Sequence, residues 1–275
     1  MLFRNTMSNG MLTFIGLGLF DEKDISLKGI EVIKKSKKVF AEFYTAKLTG
    51  TIIENIEKTI GKPIDVLSRE ETEKGDKILE AGKNGDASFL TAGDPMTATT
   101  HVDLRLRAIK IGIKTKVIHG SSIVTAVPGL LGLQNYKFGR TTTLAYPEKN
   151  YFPTSPYDII KENKKIGLHT LVLLDIQADK KRYMAANEGI NLLLKMEEKH
   201  QENVFNKESV LCIVARAGSD NPLIVADTIK GLINRDFGPP LHTIVVPGKL
   251  HFLEIEALHL LAQLPAQQGR KLQKL

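Results

Sequence analysis

The chain is poor in cysteine and in aromatic residues, and it has no long apolar run. Cys212 is its one cysteine, so a disulfide within the chain is excluded and a cysteine-based zinc site is not expected. Trp is absent and the aromatic fraction is 6%, which argues against broad aromatic stacking surfaces. No apolar run approaches the roughly 18 residues that span a bilayer, and residues 1–10 lack the apolar core of a signal peptide. We therefore expect a protein of the reducing cytoplasm with no membrane partner.

Several common catalytic motifs are missing as well. The sequence has no Gly-x-Ser-x-Gly elbow, no His-Glu-x-x-His pair and no Walker lysine. Its histidines are too scattered to predict a metal triad, so no metal site is expected. Nothing in these patterns indicates hydrolysis or hydride transfer.

The composition is that of an ordinary globular protein. Of the 275 residues, 42% are hydrophobic and 25% are charged, and the formal net charge is +7. Because Lys and Arg are spread along the chain, a solvated basic surface is favoured over a docking face for an acidic partner, and we expect no direct contact with nucleic acid.

Short β-rich segments alternate with helical patterns in two blocks, which indicates an α/β fold of two αβα domains. The predicted strands are Leu12–Gly18, Lys38–Tyr44, Ile64–Leu67, Ala87–Thr91, Lys116–His119, His169–Ile176, Val210–Ala215 and Leu241–Val246. The predicted helices include Thr51–Ile60, Arg69–Gly82, Thr100–Ile111, Arg182–His200, Leu223–Asn234 and Leu253–Leu264, with one more capped by Asp24 or Ser26. The segment Ser121–Leu133, interrupted by Pro128-Gly129, is either a helix or a loop.

A Pro-rich stretch separates the two blocks. We predict domains at residues 11–134 and 141–265, a ligand cleft between them, and flexible ends at 1–10 and 266–275. The loop Pro147–Pro156, with Tyr146 and Tyr151, is either a plain surface loop or part of a surface that receives a substrate.

Gly93-Asp94-Pro95 is the most informative short motif. It follows an apolar strand, and in α/β proteins ligands bind at the carboxyl ends of strands. Glycine lets the backbone approach a ligand, and proline fixes the exit from the turn. The alternative is an Asx turn that only joins a strand to a helix.

Other strand ends carry weaker signals. Gly16-Leu17-Gly18 resembles the start of a dinucleotide fingerprint, but Asp21 replaces the third glycine and acidic residues follow, so that interpretation is weak. Ser121 and Ser122, after His119, are also ordinary helix-capping residues. Asp175, Arg216 and His242 stand at the ends of strands in the second block.

Taken together, these loops resemble the tetrapyrrole methylases, a superfamily of S-adenosylmethionine enzymes with two αβα domains. Within it, the same segments are most similar to the enzymes that form diphthine on translation elongation factor 2. The segments that carry the resemblance are Phe14–Leu19, Glu42–Thr45, Gly93–Pro95, Ala98–His101, Tyr136–Gly139, His169–Leu171, Leu174–Ile176, Arg182–Met184, Ala215–Gly218 and Leu241–His242.

The resemblance implies that S-adenosylmethionine binds in the cleft between the domains. The residues matching the family's donor contacts are Leu19, Asp94, Thr97, Ser122, Ile123, Leu174, Ala217 and His242. The implied reaction is N-methylation of the aminocarboxypropyl-histidine of elongation factor 2, in three transfers, during diphthamide biosynthesis. The family also implies a homodimer. The residues themselves identify no catalytic base.

Three other functions stay open from the sequence. Within the superfamily they are methylation of a corrinoid or sirohaem precursor and methylation of a ribosomal RNA ribose. Outside it, the chain could be a non-catalytic sensor that holds a nucleotide-like ligand.

Overall fold

The computed structural model describes residues 10–149 and 151–273. Contacts divide the described chain into two units. One runs to Ile123 and includes Ala178–Lys180; the other comprises Val124–Gln177 and the described residues from Lys181 onward. The domain limits 11–134 and 141–265, and the cleft expected between the domains, stay predictions. The predicted flexible leader lies outside the described residues, except for Gly10, which is buried beside the carbonyl oxygens of Gly82 and Gly85.

The first unit is built on a parallel sheet. Its strands are β1 (Met11–Gly16), β2 (Lys38–Glu42), β3 (Asp65–Val66), β4 (Ala87–Thr91) and β5 (Lys114–Ile118). Their order is β3-β2-β4-β1-β5, and every neighbouring pair is parallel. Its helices are α1 (Leu27–Lys35), α2 (Ile53–Ile60), α3 (Arg69–Lys74), α4 (Asp76–Asn84) and α5 (His101–Lys110). All five strands therefore end at one edge, where the loops that follow them meet.

Alternation along the strands creates a core on each face of this sheet. Ile15 belongs to a buried cluster with Ile33 of α1 and Ile56 of α2. Its neighbour Phe14 belongs to a second cluster with Leu104 of α5. Successive residues of a strand point to opposite faces, so the sheet lies between two helical layers, as the αβα prediction requires.

The structure refines the helix bounds and caps predicted for the first unit. The predicted helix Arg69–Gly82 is divided by Gly75, whose φ of +71° ends α3 before α4 begins. Ser26, and not Asp24, caps α1 by accepting a hydrogen bond from the Gly29 amide. Gly61 ends α2 in the left-handed conformation, as predicted.

The second unit is built on a mixed sheet. Its elements are α6 (Ile123–Leu131, whose first residue belongs to the first unit), β6 (Thr142–Leu144), α7 (Ser155–Lys165), β7 (Thr170–Leu174), β8 (Ile176–Gln177), β9 (Arg182–Tyr183), α8 (Ala186–His200), β10 (Val210–Ala215), β11 (Leu223–Thr228), α9 (Ile229–Leu232), β12 (His242–Val246), α10 (Phe252–Ala262) and α11 (Ala266–Gln273). The order is β11-β10-β12-β7-β6, antiparallel throughout except for the pair β6 and β7. Tyr157 of α7 and Ile190 of α8 lie in the core together with Ile213 of β10.

Four parts of the second unit differ from the sequence prediction. The predicted helix Leu223–Asn234 is the strand β11, antiparallel to β10, followed by the short helix α9. Neither β6 nor α7 was predicted. Helix α8 begins at Ala186 because Arg182 and Tyr183 pair with β8. Residues 266–273 of the predicted flexible end form α11, whose Leu272 carbonyl accepts a hydrogen bond from the Leu250 amide.

Within the described ranges, no helix combines the length and the apolar character needed to cross a bilayer.

Candidate active site

The loops that follow β1, β4 and β5 pack tightly against one another. A Cβ atom on Gly16 would lie 2.5 Å from the Gly120 amide nitrogen and 2.5 Å from the Gly93 carbonyl oxygen. Gly18 and Gly93 also exchange backbone hydrogen bonds of 3.3 and 2.6 Å. Only glycine, which has no side chain, allows the backbones to come this close. The glycines of two predicted motifs therefore allow the three strand-end loops to pack together.

Gly93 has free space on the side where a side chain would project. Its φ is +75°, and a Cβ atom placed there would meet nothing within 4 Å. The backbone of the Gly-Asp-Pro turn can therefore be approached closely by a ligand, which is the property that the sequence predicted for it.

The two carboxylate oxygens of Asp94 have different hydrogen-bond partners. Oδ1 accepts hydrogen bonds from the Met96 amide (2.9 Å) and from the Thr97 hydroxyl (3.2 Å), which gives the predicted Asx-type turn. Oδ2 lies 2.7 Å from Nδ1 of His119, the residue that follows β5. The side chain of Asp94 is 8% exposed and that of His119 is 74% exposed. The Asx-turn interpretation therefore explains the contacts of Oδ1 but not the contact of Oδ2 with His119.

The side chain of Asp24 holds the loop after β1 in shape. Oδ2 of Asp24 accepts hydrogen bonds from the amides of Leu19 (3.0 Å) and Phe20 (2.8 Å). Gly18, with φ of +84°, lies against the Asp24 side chain. This arrangement differs from a dinucleotide fingerprint, as the sequence indicated.

The first unit brings five predicted donor contacts to this one edge. They are Leu19, Asp94, Thr97, Ser122 and Ile123, of which Asp94 and Ser122 are buried and the other three are half-buried. They follow three different strands, so parallel pairing brings them together although up to 104 positions separate them in the sequence.

The second unit brings the remaining three to one edge of its own sheet. Leu174 ends β7, Ala217 follows β10, and His242 begins β12. His242 pairs with Ala215, and Thr243 beside it pairs with Leu173, so the three residues lie close together along that edge.

Both ring nitrogens of His242 are used by the backbone. Nδ1 accepts a hydrogen bond from the Ala186 amide (3.1 Å), and Nε2 donates to the carbonyls of Gly238 and Pro239 (3.1 Å each). Because Nδ1 accepts a hydrogen bond, it carries no hydrogen, and burial lowers the pKa of this imidazole, which likewise favours the neutral ring. A ligand can meet His242 through its ring or its backbone, but its nitrogens are already engaged.

Arg216 gives the loop after β10 an unusual shape. Its φ is +54°, a left-handed conformation that is uncommon for a side-chain-bearing residue. Its guanidinium donates to the carbonyls of Phe237 (2.8 Å) and Pro239 (2.9 Å). Arg216 and His242 therefore both hydrogen-bond to the segment 237–239. These bonds fix the backbone beside Ala217.

A buried acid–base pair lies behind the Gly-Asp-Pro turn, and no sequence pattern predicted it. Oε1 of Glu42 is 3.6 Å from Nε2 of His101, and the two side chains are 0% and 2% exposed. Nδ1 of His101 donates to the Pro95 carbonyl (3.2 Å). Burial raises the pKa of Glu42 and lowers the pKa of His101 to about 4, so the environment favours the neutral form of both groups.

Two polar side chains near the second edge have structural partners. Asp175 accepts a hydrogen bond from the Tyr146 amide (3.0 Å), so its carboxylate has a structural role at the end of its strand. Tyr146 is buried, its hydroxyl donates to Glu188 (3.1 Å), and burial raises its pKa to about 12. Of the two tyrosines proposed to receive a substrate, only Tyr151 is exposed.

One group of side chains among the described residues has the composition of a metal site. One ligand atom each of Asp158, His200 and Glu202 lies within 4.8 Å of the others. The Lys161 ammonium already pairs with both carboxylates, at 3.5 and 2.8 Å.

Comparison with known proteins identifies the class to which this fold and site belong. The family model described as Tetrapyrrole (Corrin/Porphyrin) Methylases matches residues 11–233. The chain belongs to the tetrapyrrole methylase family, as the strand-end motifs indicated.

The individual relatives define the branch within that family. The diphthine synthase of Methanococcus maripaludis (strain C5) is 55% identical over 249 residues, covering 90% of this chain and 97% of the relative. The diphthine synthase of Methanocaldococcus jannaschii is 54% identical over 256 residues, covering 92% and 99%. A crystal structure of diphthine synthase matches with a TM-score of 0.87 and 38% identity, over 95% of this chain and 99% of that one. The resemblance to the diphthine-forming branch is confirmed.

Proposed function

We propose that the chain is an S-adenosylmethionine-dependent N-methyltransferase that acts on the aminocarboxypropyl-histidine of translation elongation factor 2. Three methyl transfers would give diphthine in diphthamide biosynthesis. The observation that carries the proposal is 53–56% identity to diphthine synthases over nine-tenths of the chain.

The donor contacts proposed are those predicted from the sequence. In the first unit, the open backbone at Gly93 and the amide-rich turn at Asp94 suit the polar ribose and amino-acid parts of the donor. In the second unit, Leu174, Ala217 and the neutral His242 ring suit the adenine. When bound, S-adenosylmethionine supplies the methyl group already activated as a sulfonium. The chain then has to align the acceptor nitrogen and exclude water.

We also propose that the active form is a homodimer in the cytoplasm and that elongation factor 2 is its protein partner. The similarity to diphthine synthases supports this choice of partner. No direct role for nucleic acid is proposed.

The experiment is transfer of label from methyl-labelled S-adenosylmethionine to archaeal elongation factor 2 that carries the aminocarboxypropyl group. The same factor with an unmodified histidine is the matched control and should stay unlabelled. Label on a tetrapyrrole precursor or on ribosomal RNA, with the factor unlabelled, would assign a different methylase activity. Donor binding without transfer to any of these acceptors would support a sensor.

A further inference from the structure

His119 is an exposed imidazole held in one orientation by a buried carboxylate. Its Nδ1 lies 2.7 Å from Oδ2 of Asp94, and its side chain is 74% exposed while that of Asp94 is 8% exposed. It stands directly after β5, on the edge where the five predicted donor contacts of the first unit meet.

The orientation of this pair fixes the tautomer of the ring. An ionised carboxylate only accepts hydrogen bonds, so Nδ1 of His119 carries the hydrogen and Nε2 keeps its lone pair. Asp94 is itself held in place, because Oδ1 is bonded to the Met96 amide and to the Thr97 hydroxyl. Across the described ranges, no residue hydrogen-bonds to Nε2 of His119, and Asp94 is the charged group in contact with this ring.

The proposed reaction needs a proton acceptor at this edge. The acceptor amine is an ammonium near neutral pH, and an ammonium has no lone pair with which to attack a methyl group. One proton must therefore leave before each of the three transfers. Amine deprotonation by a positioned histidine is a common form of general base catalysis.

Three other titratable groups near the two edges, Glu42, His101 and His242, do not fit this role. Glu42 and His101 are 0% and 2% exposed, which keeps them out of reach of a protein substrate. Both nitrogens of His242 are bonded to the backbone.

Resting on the function proposed above, we infer that His119 is the catalytic base of the methyl transfer and that Asp94 is its positioning residue. The N–H bond of the substrate ammonium breaks, its electron pair stays on nitrogen, and the proton forms a bond to Nε2 of His119. The freed lone pair then forms the N–CH₃ bond, while the electrons of the S–CH₃ bond remain on sulfur. The imidazolium returns its proton to solvent before the next transfer, and Asp94 stabilises the transient positive charge.

The first test measures single-turnover methyl transfer by the His119→Ala variant as a function of pH. The wild-type chain must label the modified factor first, which separates failure of this inference from failure of the proposed function. We expect unchanged donor affinity by calorimetry and a rate lower by at least about a hundredfold near neutral pH. The deficit should shrink at higher pH, where the substrate amine loses its proton to solvent, and added imidazole should restore part of the rate.

His259→Ala is the matched control, since His259 lies on α10 and bonds to the Leu264 carbonyl. A deficit of equal size at every pH, without rescue by imidazole, would show that His119 only supports the structure. A wild-type rate in the His119→Ala variant would overturn the inference outright.

The second test needs no turnover. Nitrogen-15 NMR of the imidazole should show His119 of the wild-type chain in the Nδ1–H tautomer. In the Asp94→Asn variant the amide group can donate to Nδ1, so the tautomer preference should shift toward Nε2–H. A wild-type ring already in the Nε2–H form would exclude Nε2 as the proton acceptor.

Discussion

At the scale of single residues, Asp94 links the backbone of a turn to the chemistry beside it. One carboxylate oxygen holds the turn through the Met96 amide and the Thr97 hydroxyl, and the other holds His119. Because Asp94 is buried, these bonds compete little with water and should be stronger than their exposed equivalents. We therefore expect any contribution of this carboxylate to donor binding to come mainly from the shape that it gives the turn.

This role makes Asp94→Ala a test of the donor site. The variant loses three hydrogen bonds to a charged acceptor, and we expect donor affinity to fall by about tenfold or more. The fold should survive, because the strands on either side keep their own ladders. Isothermal titration with S-adenosylmethionine measures the affinity, and circular dichroism on heating measures the stability. Asp103→Ala is the control, since Asp103 is exposed on α5 and pairs only along its helix, with Arg107. Donor affinity equal to that of the control would count against Asp94 as part of the site.

The sequence predicted the site loops better than it predicted the contacts within them. Gly93 and Asp94 could be found because a Gly-Asp-Pro turn after a strand has a local signal. The bond from Asp94 to His119 could not be found, since 25 positions separate the two residues and only the β4-β1-β5 order brings them together. The same holds for Glu42 and His101, which stand in motifs of the family resemblance but meet through packing.

At the scale of elements, the clearest error concerns the segment after β10. Leu223–Thr228 begins with four apolar residues, Leu223–Ala226, and periodicity alone cannot distinguish so short an apolar run in a strand from one in a buried helix. The residues before it, Gly218 to Pro222, are turn formers between two apolar runs, which is a hairpin signal. The segment forms a strand because its backbone hydrogen-bonds with β10.

Helix α10 is joined to other segments of the second unit through the buried side chain of Glu254. Glu254, fully buried near its start, accepts hydrogen bonds from His169 of the segment before β7 (3.0 Å) and from the Gln134 amide (3.0 Å). It also pairs with Lys137 and caps its own helix through the His251 amide (2.8 Å). Burial alone would raise the pKa of this carboxyl, but the hydrogen bonds lower it to about 2. One carboxylate thus ties three segments of the unit together.

We predict that Glu254→Gln destabilises the chain by about 3 kcal/mol, because it removes one partner of a buried ion pair. The pH dependence should change too. A lowered carboxyl pKa stabilises the fold above the unfolded value of 4.5, and that stability is lost as pH falls toward about 2. The wild-type free energy of unfolding in urea should decrease over this interval, and the variant should lack this part of the decrease. Glu256→Gln, exposed on the same helix, is the control. Equal slopes in all three proteins would refute the assignment.

At the scale of the molecule, a parallel sheet and a mostly antiparallel sheet each bring the predicted donor contacts together at one edge. The first is parallel, so the loops after β1, β4 and β5 meet at its carboxyl end. The second is mostly antiparallel, and there the end of β7, the end of β10 and the start of β12 lie side by side. The sequence predicted both sets of strand ends although it gave no strand directions, because turn residues mark strand ends whichever way a strand runs.

If both sets contact the donor, one ligand should protect both at once. A ligand at about one hundred times its Kd stabilises the state that it binds by about 2.7 kcal/mol. We therefore expect saturating S-adenosylmethionine to slow amide exchange at residues 16–19, 93–97 and 119–123 of the first unit. It should equally slow exchange at 174–176, 215–218 and 238–242 of the second. Mass spectrometry of hydrogen exchange measures this segment by segment, and α11 provides an internal reference that should not change. The Asp94→Ala variant should need more ligand for the same protection in both units, because the binding is one event. Protection restricted to a single unit would show that the donor contacts predicted in the other are wrong.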